Sequence, residues 1–234
     1  MTGKLYLIPA FLGESEADNV FPPHNKAVMA GIKHFIVEDE RSGRRFLKKI
    51  DPATDISTLT FYLLDGHTRD QEVMTYLDAA KEGNDVGLLS EAGMPCIADP
   101  GAMVVRMAHE TGITVVPLVG PSSIFMALAA SGFNGQSFAF HGYLPIDKSQ
   151  RFKKIKELEQ TLMHRDQTQM FIETPYRNVA MFEALVQSCR PDTMLCIACD
   201  VSLDTESITT CSIGTWKGRK PDIHKRPAIF LLGQ

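Results

Sequence analysis

The sequence has no apolar stretch approaching the ~20 residues of a membrane span. Its first residues, Met-Thr-Gly-Lys, run directly into a short apolar segment, without the apolar core or small-residue cleavage site of a signal peptide. It has no G-x-G-x-x-G and no Walker loop, so neither a dinucleotide fingerprint nor a P-loop is available. There is no internal repeat and no low-complexity segment. Basic charge is not in excess: the formal net charge is −4 over 234 residues, which gives no global reason to bind nucleic acid and leaves only local patches. The five cysteines are odd in number and without an export signal, so reduced thiols and a cytoplasmic location are expected. Cys196-x-x-Cys199 has the spacing of a redox pair or half a zinc site. It lies in the apolar run 194–199 with no second Cys or His pair, and reads as core; no metal is expected.

What is present is an ordinary globular balance, 44% hydrophobic and 22% charged, enough for a core without disulfides. Short apolar runs at 4–8, 34–37, 58–64, 85–89 and 113–116 alternate with helical patterns at 24–34, 71–81 and 102–110. That alternation predicts a mostly parallel sheet flanked by helices. After Gly120-Pro121-Ser122-Ser123 come helices at 124–131, 148–162 and 178–186, with strands at 137–141, 168–172, 193–199, 207–212 and 228–232, a pattern for a mixed sheet. Two α/β domains are expected, residues 1–117 and 118–234.

In parallel sheets ligands bind beyond the carboxyl ends of the strands, which singles out the loops 9–13, 90–101 and 117–123. The loop Ser90-Glu91-Ala92-Gly93-Met94-Pro95-Cys96-Ile97-Ala98-Asp99-Pro100-Gly101 is long, with Gly93 able to admit close approach and two prolines to stiffen it. It suits main-chain binding of an adenosine, or it is a plain connection with Asp99 capping the next helix. Ser122 and Ser123 offer hydroxyls at a helix start, for a ligand oxygen or for a cap. Glu38-Asp39-Glu40-Arg41, followed by Arg44, Arg45, Lys48 and Lys49, sets either carboxylates over a pocket or a solvated helix face. Basic groups at Arg151, Lys153, Lys154 and Lys156, and at Lys217, Arg219 and Lys220, read as solvent faces or RNA contacts. His67 follows the third strand, where a lone histidine is usually structural.

Taken in order, Leu5-Tyr6-Leu7-Ile8-Pro9…Gly13, Glu38-Asp39-x-Arg41, Ser90-Glu91-Ala92-Gly93-Met94-Pro95-x-Ile97-x-Asp99-Pro100-Gly101, Pro117-Leu118-x-Gly120-Pro121-Ser122, Gly142-Tyr143-Leu144-Pro145 and Phe171-Ile172-Glu173-Thr174-Pro175-Tyr176-Arg177 resemble the tetrapyrrole (corrin/porphyrin) methylase superfamily. Within it they resemble the small-subunit ribosomal RNA methyltransferase I branch. The resemblance implies two α/β domains with S-adenosylmethionine in a cleft between them, and a homodimer. It implies cofactor contacts from Leu12, Gly13, Glu91, Gly93, Met94, Ser122 and Ser123, with Ala198 and Ala228 closing over the adenine. In the branch it implies methylation of a ribose 2′-hydroxyl in ribosomal RNA or the small ribosomal subunit. The carboxylates available to accept the hydroxyl proton are Glu38, Asp39 and Glu173, the Glu38-Asp39 pair first. Arg41, His67, Tyr176 and Arg177 would meet the substrate. Against the branch pattern, Glu40 replaces a threonine, 198–203 lacks the two expected basic residues, and the chain stops at Gln234 without a small helical C-terminal region. Those departures keep two alternatives open: a small-molecule methyltransferase, such as one acting on a tetrapyrrole, and a cofactor- or RNA-binding protein without catalysis.

Overall fold

A computed structural model describes residues 2–65, 68 and 70–234. The predicted substrate residue His67 lies outside the described residues. The chain divides into two compact units, Met1–Ser122 and Ser123–Gln234, so the division falls after Ser122 rather than after residue 117.

In the first unit the order is β1 (Lys4–Ile8), α1 (Ala17–Val20), α2 (Pro23–Gly31), β2 (His34–Val37), α3 (Glu40–Ile50), β3 (Thr60–Leu63), α4 (Asp70–Val73), α5 (Asp78–Lys81), β4 (Val86–Leu89), α6 (Ala102–Glu110) and β5 (Thr114–Pro117). The sheet order is β3-β2-β4-β1-β5 and every pairing is parallel. β4 is buried along its whole length, as a central strand covered on both faces must be. Pro117 does not stop β5. It pairs with Leu7 on the sheet's edge, where a missing N–H leaves no ladder bond unmade.

Two helical readings change. The pattern at 71–81 is broken into α4 and α5, and Thr75 Oγ1 bonds back to the carbonyl of Glu72 at 2.8 Å, an alternative to continuing the helix. The charge cluster after β2 is a full helix, α3. Its Gly43, Phe46, Leu47 and Ile50 recur at helical spacing and are buried, while Arg41, Arg44, Arg45 and Lys48 face outward. Asp39 is its N-cap, taking the Ser42 N–H at 2.7 Å.

In the second unit the order is α7 (Ser123–Ser131), β6 (Phe138–Tyr143), α8 (Lys148–Arg165), β7 (Thr168–Ile172), α9 (Asn178–Ser188), β8 (Met194–Cys199), β9 (Ser207–Ser212), α10 (Ile213–Trp216) and β10 (Ala228–Gly233). The sheet runs β6-β7-β10-β8-β9, with β6 and β7 parallel and the other pairs antiparallel. α8, α9 and α10 bury Leu158, Leu185 and Trp216 against Ile197, Cys199, Ala228 and Phe230. Cys196 and Cys199 are three residues apart on one strand, so they leave opposite faces of the sheet and can neither pair nor share an ion. Burial pushes both thiols up, that of Cys199 to about 11.

Because Asp39 holds the first turn of α3, Asp39→Ala should lower the melting temperature by roughly 2–4 °C. Asp39→Asn, an equally good cap, should restore most of that loss. A scanning-calorimetry comparison of the two variants checks it; equal melting points for Asp39→Ala and the parent would remove the cap.

Candidate active site

The carboxyl ends of β1, β2 and β4 meet at one end of the first sheet, and three loops leave from there. Two of them are joined backbone to backbone. The Ala10 N–H donates to the Gly93 carbonyl at 2.8 Å, and the Gly93 N–H donates back to Ala10 at 3.2 Å. Ser90 Oγ donates to the same Gly93 carbonyl at 2.8 Å. Gly93 holds φ +70°, a conformation that favours glycine, and a Cβ there would stand 3.3 Å from Leu12 Cδ2. Its main chain therefore serves the junction between the two loops. Leu12 is the residue that packs against it.

The loop then turns through positive φ at Cys96, Ala98 and Gly101. Gly101, not Asp99, is the N-cap position of α6, so the capping role considered for Asp99 does not hold. Asp99 instead faces Glu91 and Glu38. Glu38, the first residue after β2, is half-buried, and its Oε1 is buried without a hydrogen-bond partner among the described residues; Asp99 Oδ2 is in the same condition. Burial, then the charges of Asp99 and Glu91, push Glu38 up to about 7. Burial and Glu91 push Asp99 up to about 6. A carboxyl near 7 can hold or release a proton at neutral pH.

Beside this cluster lies an open pocket of about 310 Å³. Ala10, Leu89 and Ser90 form strand-end lining, Phe11 and Phe46 form apolar walls, and Gly13, Glu14, Arg45, Lys49 and Glu91 stand around it. Phe11, Phe21 and Phe46 pack edge to face, with centroids 4.9 to 5.9 Å apart, which fixes the walls. Lys49 bonds Glu14 at 2.7 Å and stands over the Phe11 ring at 4.7 Å.

The site residues read from sequence divide accordingly. Glu38, Glu91, Gly13, Gly93 and Leu12 gather here. Met94 is half-buried on the same loop. Asp39, placed beside Glu38 as a proton acceptor, is exposed, and its carboxylate caps α3 through the Ser42 N–H and hydroxyl. Those bonds hold it below the usual carboxylate range. Arg41 is exposed on α3. Ser122 ends the first unit and Ser123 begins α7.

The second unit holds the remainder. Glu173 is buried: its Oε1 takes the Thr174 N–H at 2.7 Å and the Arg177 guanidinium at 2.6 and 2.9 Å, and its Oε2 has no partner among the described residues. Tyr176 is 73% exposed. Ala198 and Ala228 do not form one wall. Ala228 pairs with Cys199 and its methyl packs in the helix-side core, whereas Ala198 pairs with Ile229 and its methyl leaves the other face. Asp99 was weighed from sequence only as a cap, because its loop turns through positive φ that no spacing rule gives. Arg45 and Lys49 were weighed as charges beside a pocket or as a solvated helix face, and α3 sets them on the pocket lining.

Among the described residues no helix is long and apolar enough to cross a membrane. Ribosomal RNA small subunit methyltransferase I of Vibrio cholerae is 31% identical over 233 residues, covering 97% of this chain and 76% of that protein. The protein of the same name from Haemophilus influenzae is 31% identical over 175 residues, covering 74% of this chain and 60% of its own length. The crystal structure of the methyltransferase CobJ superposes with a TM-score of 0.65 at 17% identity, over 100% of this chain and 95% of that one, a likeness of fold. With residues 16–216 matching the family directly, the chain belongs to the tetrapyrrole (corrin/porphyrin) methylases, a family of methyltransferases.

Proposed function

We propose that the chain transfers a methyl group from S-adenosylmethionine to a ribose 2′-hydroxyl of small-subunit ribosomal RNA, and that Glu38 accepts the hydroxyl proton. The observation that carries the reading is the buried, unpartnered Oε1 of Glu38 between two further carboxylates at the carboxyl end of a parallel sheet. The relatives' name supplies the substrate class.

The residues fit the donor's charge. Asp99 Oδ2 and Glu38 Oε1 are unpartnered acceptors, and with Glu91 they make a negative field suited to a cationic methyl donor. Leu12 and Met94 supply apolar contact. Arg45 and Lys49 stand on the pocket lining and suit a phosphate of the RNA backbone. When bound, S-adenosylmethionine supplies an electrophilic methyl, so the protein's task is alignment, which can be worth about 7–11 kcal/mol. Glu38 receives the proton at Oε1 as the hydroxyl oxygen loses it. Its raised proton affinity, near neutral pH, suits a general base.

Two predictions follow from this chemistry. Glu38 works only when deprotonated, so kcat/KM should climb as pH passes about 7. In Glu38→Gln that limb should vanish, with a rate loss of about a hundred- to ten-thousand-fold. A pH–rate profile with the limb intact in the variant would remove Glu38 from the step. The same residue gives a readout without activity. Its folded pKa is raised above the ordinary 4.5, so the native state favours the proton and loses stability as pH rises from 4.5 to about 7. Glu38→Gln should therefore melt higher than the parent at about pH 8 and no higher near pH 4.

The cofactor itself is tested by calorimetric titration of S-adenosylmethionine. Binding is expected in the parent. Gly93→Val, forced out of φ +70° and against Leu12, should loosen the Ala10 junction and weaken binding at least tenfold. No heat from the parent would remove the donor from the reading. Binding with methyl transfer to a tetrapyrrole and none to RNA would replace the substrate.

A further inference from the structure

The second unit carries a concentration of positive charge that the methyl-transfer residues do not use. Between Trp216 and β10 the chain runs Lys217-Gly218-Arg219-Lys220-Pro221-Asp222-Ile223-His224-Lys225-Arg226. Some cations elsewhere are matched locally, as Arg44 is with Glu40, Lys154 with Glu157 and Lys156 with Glu159. In this segment Asp222 is taken by Arg226 at 2.9 Å. Lys217, Arg219, Lys220 and Lys225 are exposed and make no ion pair among the described residues. In a chain of net charge −4 such a surplus is local, not a reflection of composition.

The segment is also held in one shape. Arg226 donates to Asp200 Oδ2 at 2.8 Å, to the Asp222 carbonyl at 2.6 Å and to the Thr205 carbonyl at 2.6 Å. The buried Asn178 amide donates to the carbonyls of Ile223 and Arg226. The Lys225 N–H bonds the Pro175 carbonyl at 3.0 Å. That last bond places the Lys225 ammonium 5.6 Å from the centre of the Tyr176 ring, whose residue is 73% exposed. An exposed aromatic with a cation beside it suits stacking of an unpaired base.

On the other side of the segment is a pocket of about 380 Å³, within the range of small-molecule sites. Two cross-strand pairs, Ile197 with Thr209 and Cys199 with Ser207, make its floor, half apolar and half hydroxyl. Arg219 and Lys220 stand at its rim. The floor residues leave the face of β8 opposite to Ala198.

We infer that segment 217–226 and Tyr176 form a contact surface for single-stranded RNA, taking backbone phosphates at Arg219 and Lys220 and an unpaired base on the Tyr176 ring. The inference rests on the RNA reading above and adds to it where on the second unit the strand is held.

The test is fluorescence anisotropy of a short fluorescein-labelled oligouridylate, and of small-subunit ribosomal RNA, at several salt concentrations. The double variant Arg219→Ala/Lys220→Ala should bind about tenfold more weakly. Its slope of log affinity against log salt should fall by roughly 1.4, two phosphates at ~0.7 each for single strands. Tyr176→Ala should weaken binding about tenfold at unchanged slope, and Tyr176→Phe should bind like the parent. All three leave the donor loops untouched, so S-adenosylmethionine titrations should match the parent. Unchanged affinity and slope in the alanine variants, in a parent that binds and methylates RNA, overturn this surface alone. A parent that binds S-adenosylmethionine but neither RNA probe overturns the RNA reading and this surface with it.

Discussion

The reciprocal pair of hydrogen bonds between Ala10 and Gly93 is the constraint on which the first unit's active end depends. A parallel sheet delivers its loops to one edge but does not fix their distance from each other. Here the loop after β1 and the loop after β4 become one framework, and Ser90 adds a second bond to the Gly93 carbonyl. The geometry requires positive φ at Gly93, and the chain continues through positive φ at Cys96 and Ala98, where a side chain makes it costly, by about 1–3 kcal/mol each. Strain of that kind persists only where surrounding bonds over-determine it. The result is that Asp99, at the end of the strained turn, is carried back toward Glu91 and Glu38.

Glu38 and Asp39 are adjacent in sequence and opposite in physical condition. Asp39 has two hydrogen bonds from Ser42 and full exposure, so its charge is stabilised and its proton affinity falls. Glu38 is half-buried, with two carboxylate neighbours and an oxygen without a donor, so its charge is opposed and its proton affinity rises. Sequence could bring the pair forward as candidates, because both follow a strand that ends toward a ligand edge. It could not rank them, because the ranking depends on residues 91 and 99, more than fifty positions away, and on a helix whose first turn needs a cap.

The legible features were those written in local periodicity. Strands of alternating or continuous apolar residues were visible within two residues of their ends, as at Lys4–Ile8, His34–Val37 and Ser207–Ser212. The collinear loops were legible too, because prolines and glycines mark turns regardless of partner. Cases in which a side chain competes with the backbone, as Thr75 does, were not legible. For α3 the charges left a helix face as one of two readings, without the buried side that Phe46, Leu47 and Ile50 form. The face of a strand residue was lost for a different reason. Ala198 and Ala228 are both small and both central, but which way each points is set by the pairing register of β8 with β10, a long-range property.

The net charge of −4 is unevenly placed within each unit. The first unit gathers carboxylates at the carboxyl end of its sheet, and the negative charge proposed to face a cationic donor is useful only if neighbouring cations do not quench it. Arg45 and Lys49 accordingly stand on the pocket lining, with Lys49 engaged by Glu14, rather than within the Glu38-Glu91-Asp99 cluster. In the second unit the arrangement is inverted: Arg226 absorbs Asp200 and Asp222, leaving the remaining cations of its segment unmatched.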